Sequence, residues 1–296
     1  MTVPRLLLAL LLLFLAGCQS RGCEVTEKAV VPLQFIDNVP LVPVRINGSA
    51  GLMVLDTGAG RTTLSIKGVE RHGLKLDRWV GSTLYGVGGV ERHQNTMPDS
   101  LTIGGLELHQ RGIWGLSLSV APLPSVIDAT DGLLGRDLLA AYDLDIDIPQ
   151  RRLALYDVSG CSGRFLPWNV PYRSVATLPA FGKAMVFVST LDGHALRTML
   201  DSGTAMSLLN TPGQFHAGPG VLTSGHATIV GVGPQRLSGQ VRQYADLAVA
   251  GVIEMNPRLL TTEMHFPLDL LLGADWLRSH RVWLSFTTGQ VFVAAP

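Results

Sequence analysis

The chain has 296 residues, with 23 basic and 23 acidic side chains and therefore no formal net charge at pH 7. A neutral chain presents no basic field to attract a nucleic-acid backbone, so no nucleic acid is expected as a partner. The length is sufficient for two compact domains, each with an apolar core.

The first residues have the pattern of a bacterial export signal. Arg5 precedes an apolar run, Leu6 to Leu15, which is too short to cross a bilayer with ease. The sequence Leu15-Ala16-Gly17-Cys18 resembles a lipobox, so residues 1–17 are expected to be a lipoprotein signal peptide and Cys18 to carry the lipid. The alternative is an ordinary signal peptide in which the cysteine occurs by chance.

The same signal predicts where the protein resides. Gln19 follows the modified cysteine and, by resemblance to enterobacterial sorting signals, favours the outer membrane with the protein facing the periplasm. No later apolar run approaches membrane-spanning length. The mature chain is therefore expected to contact the membrane through its lipid alone, on a tether formed by residues 18–29.

Two further cysteines, Cys23 and Cys161, remain in the mature chain. The cell envelope permits disulfides, but the sequence leaves both a bridge and two free thiols open because it does not give their separation. Neither Cys-X-X-Cys nor His-Glu-X-X-His occurs, and the eight histidines are scattered. Neither a metal nor another cofactor is therefore expected.

One sequence pattern occurs twice in the chain. Asp56-Thr57-Gly58 and Asp201-Ser202-Gly203 each end an apolar run, and residues 56 and 201 are 145 positions apart. A hairpin turn precedes each triplet at the same distance, as Asn47-Gly48 in the first copy and Asp192-Gly193 in the second. The repeat indicates two units of the same construction.

An apolar-apolar-glycine element follows in each copy. Leu133-Leu134-Gly135 and Leu271-Leu272-Gly273 are 138 positions apart. Short helices are expected directly after them, over Arg136 to Tyr142 and Ala274 to His280. A hairpin of alternating apolar residues then closes each copy.

The duplication predicts a mostly-β chain of two homologous, barrel-like lobes, related by a pseudo-two-fold axis and separated by a cleft. The N-terminal lobe is expected over residues 30–157 and the C-terminal lobe over residues 181–296. Residues 158–180 are rich in glycine, proline and serine and are expected to form the connector. The chain is expected to be a monomer.

A two-fold axis would bring the loops that carry Asp56 and Asp201 face to face. Two carboxyl groups within a few ångströms share a proton, because both cannot ionise easily. The ionised carboxylate can take a proton from a water molecule while the protonated one hydrogen-bonds a carbonyl oxygen. Together these steps constitute general acid–base hydrolysis of an amide.

These motifs resemble those of the pepsin-like and retropepsin-like aspartic peptidases, in a two-lobed, single-chain bacterial form. The likeness covers nearly all of the mature chain. The motifs that carry it are Asp56-Thr57-Gly58-Ala59, Asp201-Ser202-Gly203-Thr204, the pepsin-like Asp131-Gly132-Leu133-Leu134-Gly135 and the retropepsin-like Gly135-Arg136-Asp137-Leu138-Leu139. It implies that Asp56 and Asp201 are catalytic and that the substrate is a peptide or protein.

The resemblance also implies supporting roles for the residues of the two loops. The hydroxyl groups of Thr57 and Ser202 are expected to hydrogen-bond to the opposite loop. Gly58 and Gly203 are expected to let backbone amides approach the carboxylates, where a side chain would collide.

One difference between the loops bears on pH. Thr204 stands where the first loop has Ala59, and a threonine hydroxyl can stabilise a nearby ionised carboxylate. We therefore expect a chemically uneven pair that works between mildly acidic and neutral pH.

The segment Tyr85-Gly86-Val87-Gly88 resembles the flap of these peptidases, a hairpin tip that closes over bound peptide. Tyr85 is expected to lie above the aspartates. Gly231-Val232-Gly233 is the equivalent cluster of the second copy and lacks the tyrosine. An ordinary glycine-rich turn is the alternative.

The favoured function is a lipid-anchored aspartic endopeptidase of the bacterial envelope. A catalytically silent peptide-binding or scaffold lipoprotein of the same fold is the main alternative. A carboxylate-pair glycosidase would need its two acids separated by a sugar-sized gap.

Overall fold

The computed structural model describes residues 22–110, 112, 115–124, 129–230 and 236–295. The expected signal peptide, the lipidated Cys18 and the glycine cluster at 231–233 lie outside these residues, and they stay predictions. No helix within the described ranges has the length and apolar character needed to cross a bilayer.

The first half of the chain contains thirteen described strands and two short helices. The strands are β1 (Glu24–Pro32), β2 (Gln34–Ile36), β3 (Val39–Ile46), β4 (Ser49–Leu55), β5 (Thr63–Ser65), β6 (Leu76–Gly86), β7 (Gly89–Thr96), β8 (Leu101–Ile103), β9 (Leu106–Glu107), β10 (Leu118–Ala121), β11 (Gly132–Leu134), β12 (Asp143–Asp147) and β13 (Arg152–Ser159). The helices are α1 (Ile66–Arg71) and α2 (Arg136–Leu139).

The second half repeats this construction. Its described strands are β14 (Tyr172–Ala176), β15 (Val186–Leu191), β16 (His194–Leu200), β17 (Leu208–Asn210), β18 (Val221–Val230), β19 (Arg236–Gln243), β20 (Asp246–Val249), β21 (Val252–Met255), β22 (Arg258–Thr262), β23 (Leu270–Leu272), β24 (Arg281–Ser285) and β25 (Gln290–Ala294). The helices are α3 (Thr211–Ala217) and α4 (Ala274–Leu277).

Each lobe has its own sheet, and the two sheets have the same strand order. The N-terminal sheet runs β6-β7-β10-β5-β11-β4-β3-β8-β9, with β2 paired to β3. The C-terminal sheet runs β18-β19-β22-β17-β23-β16-β15-β20-β21, which is the same order strand for strand. The predicted mostly-β, two-lobed architecture is therefore confirmed.

The two predicted hairpin turns have the backbone that their sequences require. Asn47 and Gly48 have φ angles of 48° and 80°, and Asp192 and Gly193 have φ angles of 49° and 79°. Positive φ at both central residues defines the type I′ turn, which matches the twist of the flanking strands. These turns set the register of β3 with β4 and of β15 with β16.

A third sheet joins the lobes, in the order β1-β13-β12-β24-β25-β14. Within it β12 pairs antiparallel with β24, and Asp145 lies opposite Trp283. Residues 145 and 283 occupy equivalent positions in the two copies, 138 positions apart. A residue that faces its own equivalent lies on the two-fold axis, so the axis passes through this pair of strands.

The tether expected at residues 18–29 is shorter in the structure, because β1 begins at Glu24 and pairs with β13 over its whole length. Ala29 and Val31 are buried, which gives this segment an inward apolar face. Cys23 forms a disulfide with Cys161, so the bridge left open by the sequence fixes the start of β1 beside the end of β13.

The connector expected at residues 158–180 also contributes structure. Its segment Tyr172–Ala176 is β14, an edge strand of the third sheet. Trp168 and Phe165 pack against Trp283 and Phe292 in an aromatic cluster on one side of that sheet. The connector therefore fastens the lobes as well as linking them.

The two helices expected after the glycines are shorter than predicted. Instead of reaching Tyr142 and His280, α2 ends at Leu139 and α4 ends at Leu277. The backbone continues through tighter bonds between residues three apart, such as Tyr142 N–H to Leu139 O. Helices α1 and α3 were not predicted, because each has only two turns or fewer and lacks a clear apolar period.

Candidate active site

Asp56 and Asp201 occupy equivalent places at the ends of two central strands. Asp56 follows β4, and its N–H donates to Leu134 O at 3.1 Å. Asp201 follows β16, and its N–H donates to Leu272 O at 2.9 Å. The leucine-leucine-glycine strands run parallel to β4 and β16, so they fix both loops from the side.

The side chains of Thr57 and Ser202 bind the two loops to each other reciprocally. Ser202 Oγ accepts from Thr57 N–H at 3.1 Å and donates to Leu55 O at 2.6 Å. Thr57 Oγ1 accepts from Ser202 N–H at 3.1 Å and donates to Leu200 O at 3.0 Å. Both side chains are fully buried. The structure thus contains the crossed bonds that the resemblance implied for these residues.

Gly58 and Gly203 lie against the carboxyl groups of the opposite lobe. A Cβ atom added to Gly58 would collide with the carboxyl group of Asp201. One added to Gly203 would collide with the carboxyl group of Asp56. Glycine is required at both positions because each carboxyl group fills the space that a side chain would need.

The carboxyl groups of Asp56 and Asp201 face each other across the axis, close enough for each to shift the pKa of the other. Burial raises the pKa of both, and the neighbouring negative charge of Asp56 helps to raise the pKa of Asp201 to about 8. Asp56 Oδ1 accepts from Ala59 N–H at 2.7 Å, and Asp201 Oδ1 accepts from Gly203 N–H at 3.0 Å. The shorter bond favours Asp56 as the ionised member of the pair.

Thr204 does not act as the sequence predicted. Its hydroxyl donates to Met206 O at 3.1 Å, within its own loop. Thr204 N–H bonds to the backbone oxygen of Asp201, and Thr204 O accepts from Ala274 N–H. Thr204 therefore holds the shape of the loop, and the chemical difference between Asp56 and Asp201 does not come from its hydroxyl.

Arg136 is a charged residue of the site to which the sequence analysis assigned no role. It is only 8% exposed, and its Nη1 donates to Thr57 O at 2.7 Å and to Gly58 O. Its positive charge lowers the pKa of both aspartates, against the larger opposite effect of burial. The signal for it in the sequence was its place in the retropepsin-like stretch Gly135-Arg136-Asp137-Leu138-Leu139, where a helix was expected to begin.

The predicted flap is the hairpin of β6 and β7, with Gly86 and Gly89 paired at its tip. Tyr85, expected above the aspartates, is 67% exposed. Val87 is half-buried and packs against an apolar cluster of the C-terminal lobe that includes Leu260. Val87, rather than Tyr85, is thus the flap residue that crosses to the other lobe, while Gly88 at the turn is buried.

Candidate metal ligands do not gather around this site. Across the residues that the structure describes, no group of three or more histidine, cysteine, aspartate or glutamate side chains is placed to hold a metal ion. The groups that the described residues bring to this site are two acids, one cation and the backbone amides of the loops.

Comparisons with known proteins agree with this geometry. Residues 42–138, which include Asp56, match the model of a family described as aspartyl protease. Among solved structures, an aspartic proteinase from Irpex lacteus matches with a TM-score of 0.57 and 12% sequence identity, and the match covers 92% of this chain and 97% of that one. No curated protein matches the chain. The chain has the aspartic peptidase fold, as the resemblance implied.

Proposed function

We propose that the chain is an aspartic endopeptidase that hydrolyses peptide bonds with a water molecule activated by Asp56 and Asp201. The observation that carries this proposal is that two partly buried carboxyl groups face each other across the axis, each supplied by an equivalent loop of one lobe and each lying against the glycine of the opposite loop. Bringing two acids together away from bulk water costs free energy, and a pair held in this way is typical of a functional site.

In the proposed reaction Asp56 is ionised and Asp201 is protonated. Asp56 takes a proton from the water molecule as its oxygen attacks the carbonyl carbon of the peptide. Asp201 donates a hydrogen bond to the carbonyl oxygen, where negative charge develops. Return of a proton from the pair to the amide nitrogen then breaks the C–N bond and restores the starting state.

The reaction requires one proton on the pair, which predicts a bell-shaped dependence on pH. Cleavage rises as Asp56 loses its proton, above the ordinary aspartate range because burial raises the pKa of Asp56. It falls again as Asp201 ionises, with a pKa of about 8. The working range is mildly acidic to neutral, and maximal activity below about pH 3 would contradict this proposal.

The proposal can be tested with soluble protein that begins at Gln19, since this form keeps every described residue. Incubation with a diverse peptide library should give cleavage that a statine-type inhibitor blocks. Asp56→Asn and Asp201→Asn should each abolish cleavage. Asp99→Asn, at an exposed position of the N-terminal lobe, should not. Cleavage that survives either substitution in the pair would exclude the mechanism.

The same experiment separates the alternatives. Binding of peptides without cleavage at any pH would favour a silent peptide-binding or scaffold protein. A retaining glycosidase places its carboxyl groups about 5 Å apart and an inverting one farther still, to leave room for the sugar or a water molecule. The direct interaction of Asp56 with Asp201 across the axis disfavours both arrangements.

We further propose that the protein is monomeric and anchored by lipid on Cys18 in the bacterial envelope, at the outer membrane facing the periplasm. The support is the lipobox-like sequence and Gln19. Labelled palmitate should be incorporated into the parent protein and not into Cys18→Ser. Label that is still incorporated into Cys18→Ser would contradict lipid anchoring at Cys18.

A further inference from the structure

Arg136 links three parts of the molecule from one buried position. It is the first residue of α2, directly after Gly135. Its guanidinium donates to the carbonyl oxygens of Thr57 and Gly58 in the N-terminal aspartate loop. Its Nε donates to Gly182 O at 3.2 Å, at the start of the C-terminal lobe. Each of these bonds ends on a neutral carbonyl group.

The charge of Arg136 has no equivalent in the other lobe. The equivalent position, 138 residues later, holds Ala274, which is buried and apolar. The aspartate pair therefore lies beside a buried cation on one side only. Burial strengthens the influence of such a charge, because little water is present to screen it.

The acids that the positive charge of Arg136 influences can be identified from the charged groups around it. Asp56 and Asp201 are the acids of the pair, and the adjacent Asp137 is occupied by bonds from the N–H and hydroxyl of Thr62 and from the amide of Gln110. Two other cations are close by in the fold, since the backbone of Arg61 lies against Gly135 and Lys183 contacts the end of α2. Lys183 donates to Ala140 O at the end of α2, and Arg61 is exposed.

We propose that Arg136 is a positioning residue for the aspartate pair: it holds the Thr57-Gly58 loop in place and favours the singly ionised form of the pair. This inference rests on the proposed peptidase function. The attraction between the guanidinium and the pair lowers the pKa of each acid and so opposes the effect of burial. Arg136 thereby extends activity toward lower pH.

The test is the pH dependence of kcat/KM for the full-length protein in detergent. Arg136→Gln keeps a hydrogen-bond donor but removes the charge, and it should move the acid limb upward by about one pH unit. Arg136→Lys keeps the charge and should leave that limb in place. Arg61→Gln, which removes an exposed cation nearby, should leave it unchanged too. Each profile is scaled to its own maximum, so a loss of folded protein does not move it.

A second variant leaves Arg136 in place. Gly60 is exposed, and a Cβ added there would lie 3.7 Å from Arg136 Nη2, with no other heavy atom within 4 Å. Gly60→Asp should pair with the guanidinium and raise the acid limb, whereas the isosteric Gly60→Asn should not. This pair of variants tests the charge even if Arg136→Gln does not fold.

An acid limb that stays fixed in both Arg136→Gln and Gly60→Asp would overturn the inference, as would equal shifts in Arg136→Gln and Arg136→Lys. Absence of cleavage by the parent protein would instead contradict the proposed function. The inference would then be tested by ¹³C NMR titration of aspartate carboxyl groups, with Asp56 assigned through Asp56→Asn. An Asp56 pKa that is the same in the parent and in Arg136→Gln would overturn it.

Discussion

Removal of the Ser202 hydroxyl tests how strongly the two lobes are held together at the site. In Ser202→Ala, the N–H of Thr57 loses its acceptor and the carbonyl of Leu55 loses its donor. Thr57 and Ser202 are both fully buried, so the two groups are not in contact with bulk water. The reciprocal bonds of the Thr57 hydroxyl remain in place.

The expected cost follows from the two groups left without a partner. A buried donor or acceptor that loses its hydrogen bond costs about 1–3 kcal/mol. Two such groups give a loss of roughly 2–6 kcal/mol in the free energy of unfolding. That loss is a large part of the stability of an ordinary domain, which is about 5–15 kcal/mol.

Urea unfolding followed by circular dichroism measures this loss, provided that the slope of the transition is unchanged. Ser174→Ala is the matched control, because Ser174 is exposed, and it should stay within about 0.5 kcal/mol of the parent protein. A change of less than about 0.5 kcal/mol in Ser202→Ala would show that the crossed bonds do not hold the lobes together.

Three other changes test the site and its support. Gly203→Ala should abolish cleavage, because the methyl group collides with the carboxyl group of Asp56; undiminished kcat/KM would refute the close approach. Cys23→Ser should lower the free energy of unfolding by about 2–4 kcal/mol, because its bridge to Cys161 closes a loop across 138 residues; an unchanged urea midpoint would contradict this. Asp201 has a pKa of about 8 in the folded protein, so the folded state keeps a proton that the unfolded chain releases near pH 4. Stability from this proton is present at low pH and is lost as the pH rises toward 8. Asp201→Asn should therefore lose less stability than the parent between pH 5 and pH 8 in thermal melts, and equal losses would contradict the raised pKa.

The parts of the fold that depend on local signals were predictable from the sequence. The turns at Asn47-Gly48 and Asp192-Gly193 need positive φ, which these residues supply. The constant offset between the two triplets makes Thr57 and Ser202 equivalent positions of the two copies. The resemblance to aspartic peptidases then implied that these two residues bond to each other's loop, and the structure contains those bonds.

The third sheet could not be predicted in the same way. Alternation along β12 and β24 shows that each strand has an inward face, but it does not say that the two strands pair with each other. Likewise, nothing in the sequence of β1 (Glu24–Pro32) predicts that it pairs with β13. Which distant strands pair with each other depends on the packing of the whole molecule, and the alternation of residues within one strand does not reveal it.

The roles of two residues at the site depended on the direction of their side chains, which the sequence does not give. Thr204 directly follows Asp201-Ser202-Gly203, yet its hydroxyl donates to Met206 O. Arg136 is a charged residue in a helix start, yet the fold buries it against the aspartate loop of the same lobe. Sequence position indicates the neighbourhood of each residue, whereas its hydrogen-bond partners depend on the finished fold.

The pairing of β12 with β24 has a consequence for how the molecule can be assembled. Two copies of a one-lobe chain would form a symmetric dimer through the same contact, each strand facing itself. Here the two strands are chemically complementary instead, because Asp145 on β12 is bound by Arg281 on β24 as well as by Arg152. An N-terminal lobe paired with its own copy would bury Asp145 against Asp145 and lack Arg281 altogether. The two halves have become unlike partners, so they should reassemble with each other when made as separate chains but not with themselves.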